Sequence, residues 1–154
     1  MAENRNQQSS SRNIRDLMTP SPECVSDQDS VRDAARIMKN EDTGVVPVVD
    51  GSRKIIGLIT DRDIVVRGLA EGRDLENLRV NEIMTKQVRS VKEDASLDEV
   101  MTLMSQSDIR RVPVVNGKDE IVGIVSIGDI ANKTDDRKSV GRTIEDISEA
   151  PPNN

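Results

Sequence analysis

Apolar positions in this chain follow two periodicities that alternate in a fixed order. Val31, Ala34, Ala35 and Met38 recur at i, i+3, i+4 and i+7, and Leu97, Val100, Met101 and Met104 do the same; the spacing predicts two helices, each with one apolar face. Ser30 and Ser96 stand where N-caps belong, with Asp33 and Glu99 three residues on. Short β-branched runs follow, 45–49 with 55–59 and 112–115 with 121–125. Continuous apolar runs of this length suit strands buried on both faces. Asp50-Gly51 and Asn116-Gly117 supply turn residues, so each pair reads as a hairpin with a loop longer than two residues. Pro47 and Pro113 cannot donate to a ladder and are expected at an edge or a bulge. A further helix is expected after Thr60 and after Ser126, and a very short strand at Cys24-Val25 and Ser90-Val91.

These elements repeat. Ile14-Arg15-Asp16-Leu17-Met18-Thr19 is answered 66 residues later by Val80-Asn81-Glu82-Ile83-Met84-Thr85. The same offset pairs Val46-Pro47-Val48-Val49 with Val112-Pro113-Val114-Val115, then Ile55-Ile56-Gly57-Leu58-Ile59-Thr60 with Ile121-Val122-Gly123-Ile124-Val125-Ser126. A gapless register that preserves Pro and Gly is the mark of a duplicated folding unit. The expected fold class is α+β: tandem βαββα repeats, at 14–72 and 73–134, packed sheet to sheet as one pseudo-twofold domain. Residues 1–13 lack periodicity and read as a disordered tail; Leu75, Leu78 and Val80 to Met84 read as a short connecting helix. In the C-terminal segment 135–154, Val140, Ile144 and Ile147 are spaced for a weak amphipathic helix ahead of a disordered, Pro-containing end.

Composition narrows the chemistry. The 154 residues include no Phe, Tyr, Trp or His, which removes base-stacking platforms, imidazole catalysis and imidazole metal ligands together. The net charge of −6, without a basic block, speaks against nucleic acid. No apolar run approaches the ~18 residues of a membrane span, and no secretory leader pattern opens the chain, so a cytoplasmic location without membrane association is expected. Cys24 is the single cysteine and can form no internal disulfide. With no nucleophile–base pair and no metal cluster, no catalytic residue and no turnover are expected.

Two local features carry candidate chemistry. Thr60-Asp61-Arg62-Asp63 and Ser126-Ile127-Gly128-Asp129 each set a hydroxyl and, three residues on, a carboxylate at the turn from strand to helix. Such a pair makes a capping box; alternatively, free N–H groups at the turn meet a phosphate while the Asp accepts from a ribose diol. Arg110-Arg111, immediately before Val112-Pro113-Val114, could clamp a polyanion where the first copy has only Gly44-Val45.

The ordered series of Met-Thr, helix, Val-Pro-Val-Val and Gly-x-x-[Thr/Ser]-x-x-Asp, twice over, resembles the cystathionine β-synthase (CBS) domain pair, or Bateman module, from residue 14 to about 133. Around Thr60-Asp61-Arg62-Asp63-Ile64-Val65-Val66-Arg67-Gly68-Leu69 it is similar to stand-alone bacterial CBS-pair proteins of the hypoxic-response type. The resemblance implies a ligand-sensing module with an adenine nucleotide (AMP, ADP, ATP or similar) as regulatory ligand, no obligatory cofactor, a homodimer and a separate effector protein. A preferred cleft would use Leu58, Thr60 and Asp63 with Val88, Arg89, Ile109, Arg110 and Arg111; a weaker one Ile124, Ser126 and Asp129 with Thr19, Glu23, Thr43, Gly44 and Val45. The alternative is a structural or protein-interaction scaffold with no tight nucleotide ligand.

Overall fold

The computed structural model describes residues 13–133 together with Ile144 and Ile147. Its elements are α1 (Ile14–Leu17), β1 (Thr19–Pro20), β2 (Val25–Ser26), α2 (Val31–Glu41), β3 (Val45–Val49), β4 (Ile55–Thr60), a π-helix (Asp63–Leu69), α3 (Val80–Ile83), β5 (Val91–Lys92), α4 (Leu97–Ser107), β6 (Arg111–Val115), β7 (Ile121–Ser126) and α5 (Ile127–Lys133), of which α1 and β1 were not expected. The expected tail at 1–13 lies outside the described residues apart from Asn13, which caps α1. The helix expected within 135–149 is described only at Ile144 and Ile147; both are helical, and Ile147 packs against an apolar core.

The chain folds into two compact units. One holds residues 21–89 with 117–121; the other, among the described residues, holds 13–20, 90–116 and 122–133. In the first, β2-β3-β4 form a sheet, with β2 parallel and β4 antiparallel to β3. Its core joins Val31, Ala34 and Met38 of α2 to Val46, Val48 and Ile59, and also to Val80, Ile83 and Met84. In the second, the order is β1-β7-β6-β5, and the core joins Val100 and Met104 of α4 to Val112, Val114 and Val125, and also to Ile14 and Leu17. The duplicated frames at 14–72 and 73–134 are therefore not the compact bodies, because the opening segment of each frame packs with the body of the other copy. A four-residue helix such as α1 or α3 is too short to hold itself together and depends on the core that receives its apolar side.

The receiving edge is prepared by a glycine. Leu58 exchanges both backbone bonds with Thr85, N–H to O at 2.9 Å and O from N–H at 2.8 Å. A Cβ on Gly57 would stand 2.9 Å from the Thr85 carbonyl oxygen, so only a bare backbone admits the segment. Gly123 meets Met18 and Thr19 in the other unit.

Local caps form as the sequence predicts. Ser30 accepts from Asp33 N–H and Ser96 from Glu99 N–H, each at 3.1 Å. Asp42 and Asp108 close α2 and α4 in the left-handed region, with φ of 51° and 55°. In the loop between β3 and β4, Asp50 Oδ1 accepts from Ser52 and Lys54 N–H at 2.8 and 3.1 Å. The left-handed residue there is Arg53 (φ 61°), matched by Asp119 (φ 62°), and not the glycine of either turn.

Two expectations need correction. Pro47 is buried in the middle strand of its sheet, not on an edge. Leu58 opposite it spends its backbone groups on Thr85, so the Pro47–Leu58 pair carries no ladder bond that a proline could break; the register shift falls one step on, between Val48 and Val49. The helix after Thr60 is wound as a π-helix, with Ala70 N–H donating to Val65 O at 2.8 Å. Buried Gly68 lets this helix settle on Leu75, Leu78 and Ile83.

Candidate functional site

In the 21–89 unit the hydroxyl–carboxylate turn is a reciprocal cap. Asp63 N–H donates to Thr60 Oγ1 and Thr60 N–H donates to Asp63 Oδ2, both at 3.0 Å. Asp63 is only 6% exposed, and its carboxylate also accepts from Thr85 Oγ1, 3.3 Å from each oxygen. Arg67 Nε lies 3.7 Å from Asp63 Oδ1 while its Nη1 donates to Ile83 and Met84 carbonyls at 3.4 and 3.3 Å. A buried carboxylate needs such donors. The turn is fastened to the start of β3 by Asp61 N–H donating to Gly44 O at 3.0 Å. Thr43 is occupied locally, its hydroxyl donating to Val45 O at 3.2 Å.

The other unit repeats the device with fewer partners. Ser126 N–H donates to Asp129 Oδ2 and Asp129 N–H to Ser126 Oγ, both at 3.0 Å. Ile127 N–H donates to Arg110 O at 2.9 Å, the counterpart of the Asp61–Gly44 bond. Asp129 is half-buried, and among the described residues its other carboxylate oxygen, Oδ1, has no partner. Arg110 and Arg111 are both exposed, Ile109 is half-buried, and Ile124 pairs with Thr19 across β7 and β1.

The structure thus groups the candidates by compact unit. Thr43, Gly44, Val45, Leu58, Thr60 and Asp63 lie in one unit with half-buried Val88 and exposed Arg89; Arg110, Arg111, Ser126 and Asp129 lie in the other with Ile109, Ile124 and Thr19. Each turn is hydrogen-bonded to the strand start of its own copy. Glu23 lines an open hollow with Cys24, Val49 and Arg53. Burial pushes the Cys24 thiol above its ordinary pKa, with Arg53 opposing, and its Sγ donates to Pro22 O at 3.3 Å. Sequence reasoning missed Thr85 and Arg67. Thr85 was within reach, because it stands at the repeat position of Thr19, which had been counted. Among the described residues no three Cys, Asp or Glu side chains are grouped to hold a metal ion, and no described helix is long and apolar enough to cross a membrane.

The CBS domain model matches residues 14–69 and 80–135, and the chain belongs to this family as a tandem CBS-domain pair with an α+β fold. It is 39% identical over 137 residues to YlbB of Bacillus subtilis, covering 88% of this chain and 91% of that protein. It resembles the crystal structure of Hypoxic Response Protein I with two coordinated zinc ions, at 34% identity and TM-score 0.72 over 79% of this chain and 98% of the other. It also resembles the CBS domain pair of protein MJ0100 in complex with 5′-methylthioadenosine and S-adenosyl-L-methionine, at 31% identity and TM-score 0.67 over 79% and 98%.

Proposed function

We propose that this chain is a cytoplasmic, non-catalytic regulatory module that binds an adenine-containing nucleotide and passes its state to an effector protein. The observation that carries the reading is Asp129: a half-buried carboxylate held by Ser126, with one oxygen unused among the described residues, in a turn bonded to the backbone of exposed Arg110. A ribose diol suits the free oxygen and the guanidiniums suit phosphate. The adenosyl ligands of the MJ0100 pair support the same ligand class. The order of preference between the two turns is reversed from the sequence-based one, because Asp63 already accepts from Thr60 and Thr85 and is ion-paired with Arg67.

Calorimetry of the full chain with AMP, ADP, ATP and S-adenosylmethionine tests this. Wild type is expected to bind at least one, with Asp129→Ala and Arg111→Ala each weakening a phosphorylated ligand about tenfold, as expected for loss of a charge-assisted contact. Absence of binding by every compound would leave the scaffold reading in its place.

A specific observation also supports pairing with a second copy. Val65, Val66 and Leu69 are 53%, 41% and 62% exposed on one helix. Their repeat counterparts are Ala131, Asn132 and Asp135, so the apolar face belongs to the first copy alone. Arg62 and Glu71 flank it, and a twofold antiparallel helix pair sets Arg62 of each copy near Glu71 of the other.

A further inference from the structure

The same backbone bond in the two units is lined by opposite chemistry. In the 21–89 unit it joins Asp61 to Gly44, and in the other it joins Ile127 to Arg110. Asp61 Oδ1 accepts from Arg62 N–H at 2.8 Å, which fixes the carboxylate against the turn. A Cβ on Gly44 would stand 2.9 Å from Asp61 Oδ2 and 3.2 Å from its Cγ, so the carboxylate fills the room a side chain at 44 would take. Where one copy has an acid lying over a glycine, the other has Ile127 and Arg110 at the same two positions. Around the first turn Asp61 and Asp63 offset Arg62 and Arg67; around the second Arg110 and Arg111 outweigh Asp129.

We propose that Asp61 is a specificity-determining residue. It makes the Thr60–Asp63 turn favour uncharged or cationic adenosyl compounds over phosphorylated ones, while Arg110 and Arg111 give the Ser126–Asp129 turn the opposite preference. The proposal rests on the adenosyl-binding reading above and adds to it a division of labour: one site for the phosphorylation state of adenosine, the other for nucleosides that carry no phosphate. A carboxylate close to a phosphate in a solvent-exposed turn costs roughly threefold to tenfold in affinity, and the penalty is screened by salt because the Debye length shrinks to about 3 Å at 1 M.

The test uses the full chain with the second turn disabled by Asp129→Ala, so that remaining binding reports on the first. Adenosine, AMP and S-adenosylmethionine are titrated at low salt against this variant and against its combination with Asp61→Asn. The expected result is that Asp61→Asn raises AMP affinity relative to adenosine by about threefold to tenfold, lowers S-adenosylmethionine, and loses both effects at high salt. A second variant, Gly44→Arg with Asp61→Ile, transplants the chemistry of the other turn and is expected to shift preference to AMP further. Unchanged melting temperatures confirm that the variants fold. An AMP-to-adenosine ratio untouched by Asp61→Asn would overturn the proposal while leaving adenosyl binding intact, as would loss of all binding in Asp129→Ala alone. If wild type itself binds none of the three, the adenosyl reading is what has failed, and the selectivity falls with it.

Discussion

The hydroxyl of Thr85 donates to the carboxylate of Asp63, 3.3 Å from each oxygen, and so ties the segment that opens the second repeat to the capping turn of the first. Thr85→Val keeps the side-chain shape and removes that donor; the expected cost is about 1 kcal/mol, read as a shifted midpoint of chemical denaturation at constant slope. Combined with Asp63→Asn it should be non-additive by at least roughly 0.5 kcal/mol. Strict additivity would show that the two groups are not coupled.

Gly57 is predicted to be intolerant of a methyl group and Gly51 indifferent to one. The first would press on a backbone carbonyl at 2.9 Å, while nothing lies within 4 Å of the second. Gly57→Ala should destabilise by about 1–3 kcal/mol and Gly51→Ala by no more than about 0.5 kcal/mol. Equal effects in thermal melts would contradict the close seating of 84–85 on β4.

The exchange of opening segments gives a prediction with an address. Ile14 and Ile83 are buried in different cores, Ile14 with α4 and β6, Ile83 with α2 and β3. Truncating either to Ala should cost about 2–5 kcal/mol. Hydrogen exchange should then show Ile14→Ala loosening amides of 97–104 and 111–115, and Ile83→Ala those of 31–41 and 45–49. The reverse pattern would mean that each segment packs on its own repeat.

The thiol of Cys24 is expected to be a slow nucleophile near neutral pH. Burial disfavours the thiolate more than Arg53 favours it, so its pKa is raised. A raised pKa means that the folded state holds its proton longer than the unfolded state does. The linked stability is therefore complete below the unfolded pKa and is lost only as pH rises toward and through the folded one. Alkylation by iodoacetamide followed against pH should rise later than for the same chain in denaturant; an earlier rise would refute the burial.

Leu69 is the most exposed large apolar residue on the π-helix. Leu69→Arg places a cation at the centre of the inferred twofold contact and should convert a dimer to a monomer in sedimentation equilibrium, with little change in secondary structure. A dimer that survives both Leu69→Arg and Val65→Arg would move the interface elsewhere.

The features legible in the sequence are local and periodic. The apolar faces of α2 and α4, the serine caps at 30 and 96, the hairpins and the duplication are set by contacts within a few residues, and the 66-residue offset carried them from one copy to the other. It also announced the Thr60–Asp63 and Ser126–Asp129 pairs, though a cap and a ligand site read alike there, since both need a hydroxyl and an acid at the same spacing. Long-range packing sets which body receives α1 and α3, why Pro47 is tolerated in a middle strand, and that Asp63 is saturated while Asp129 keeps an oxygen unused among the described residues. The saturation of Asp63 depends on Thr85, 22 residues away, donating to its carboxylate and on Arg67, one helical turn on, pairing with it at 3.7 Å. Periodicity records what a residue needs beneath it; it does not record which distant donor will come to satisfy it.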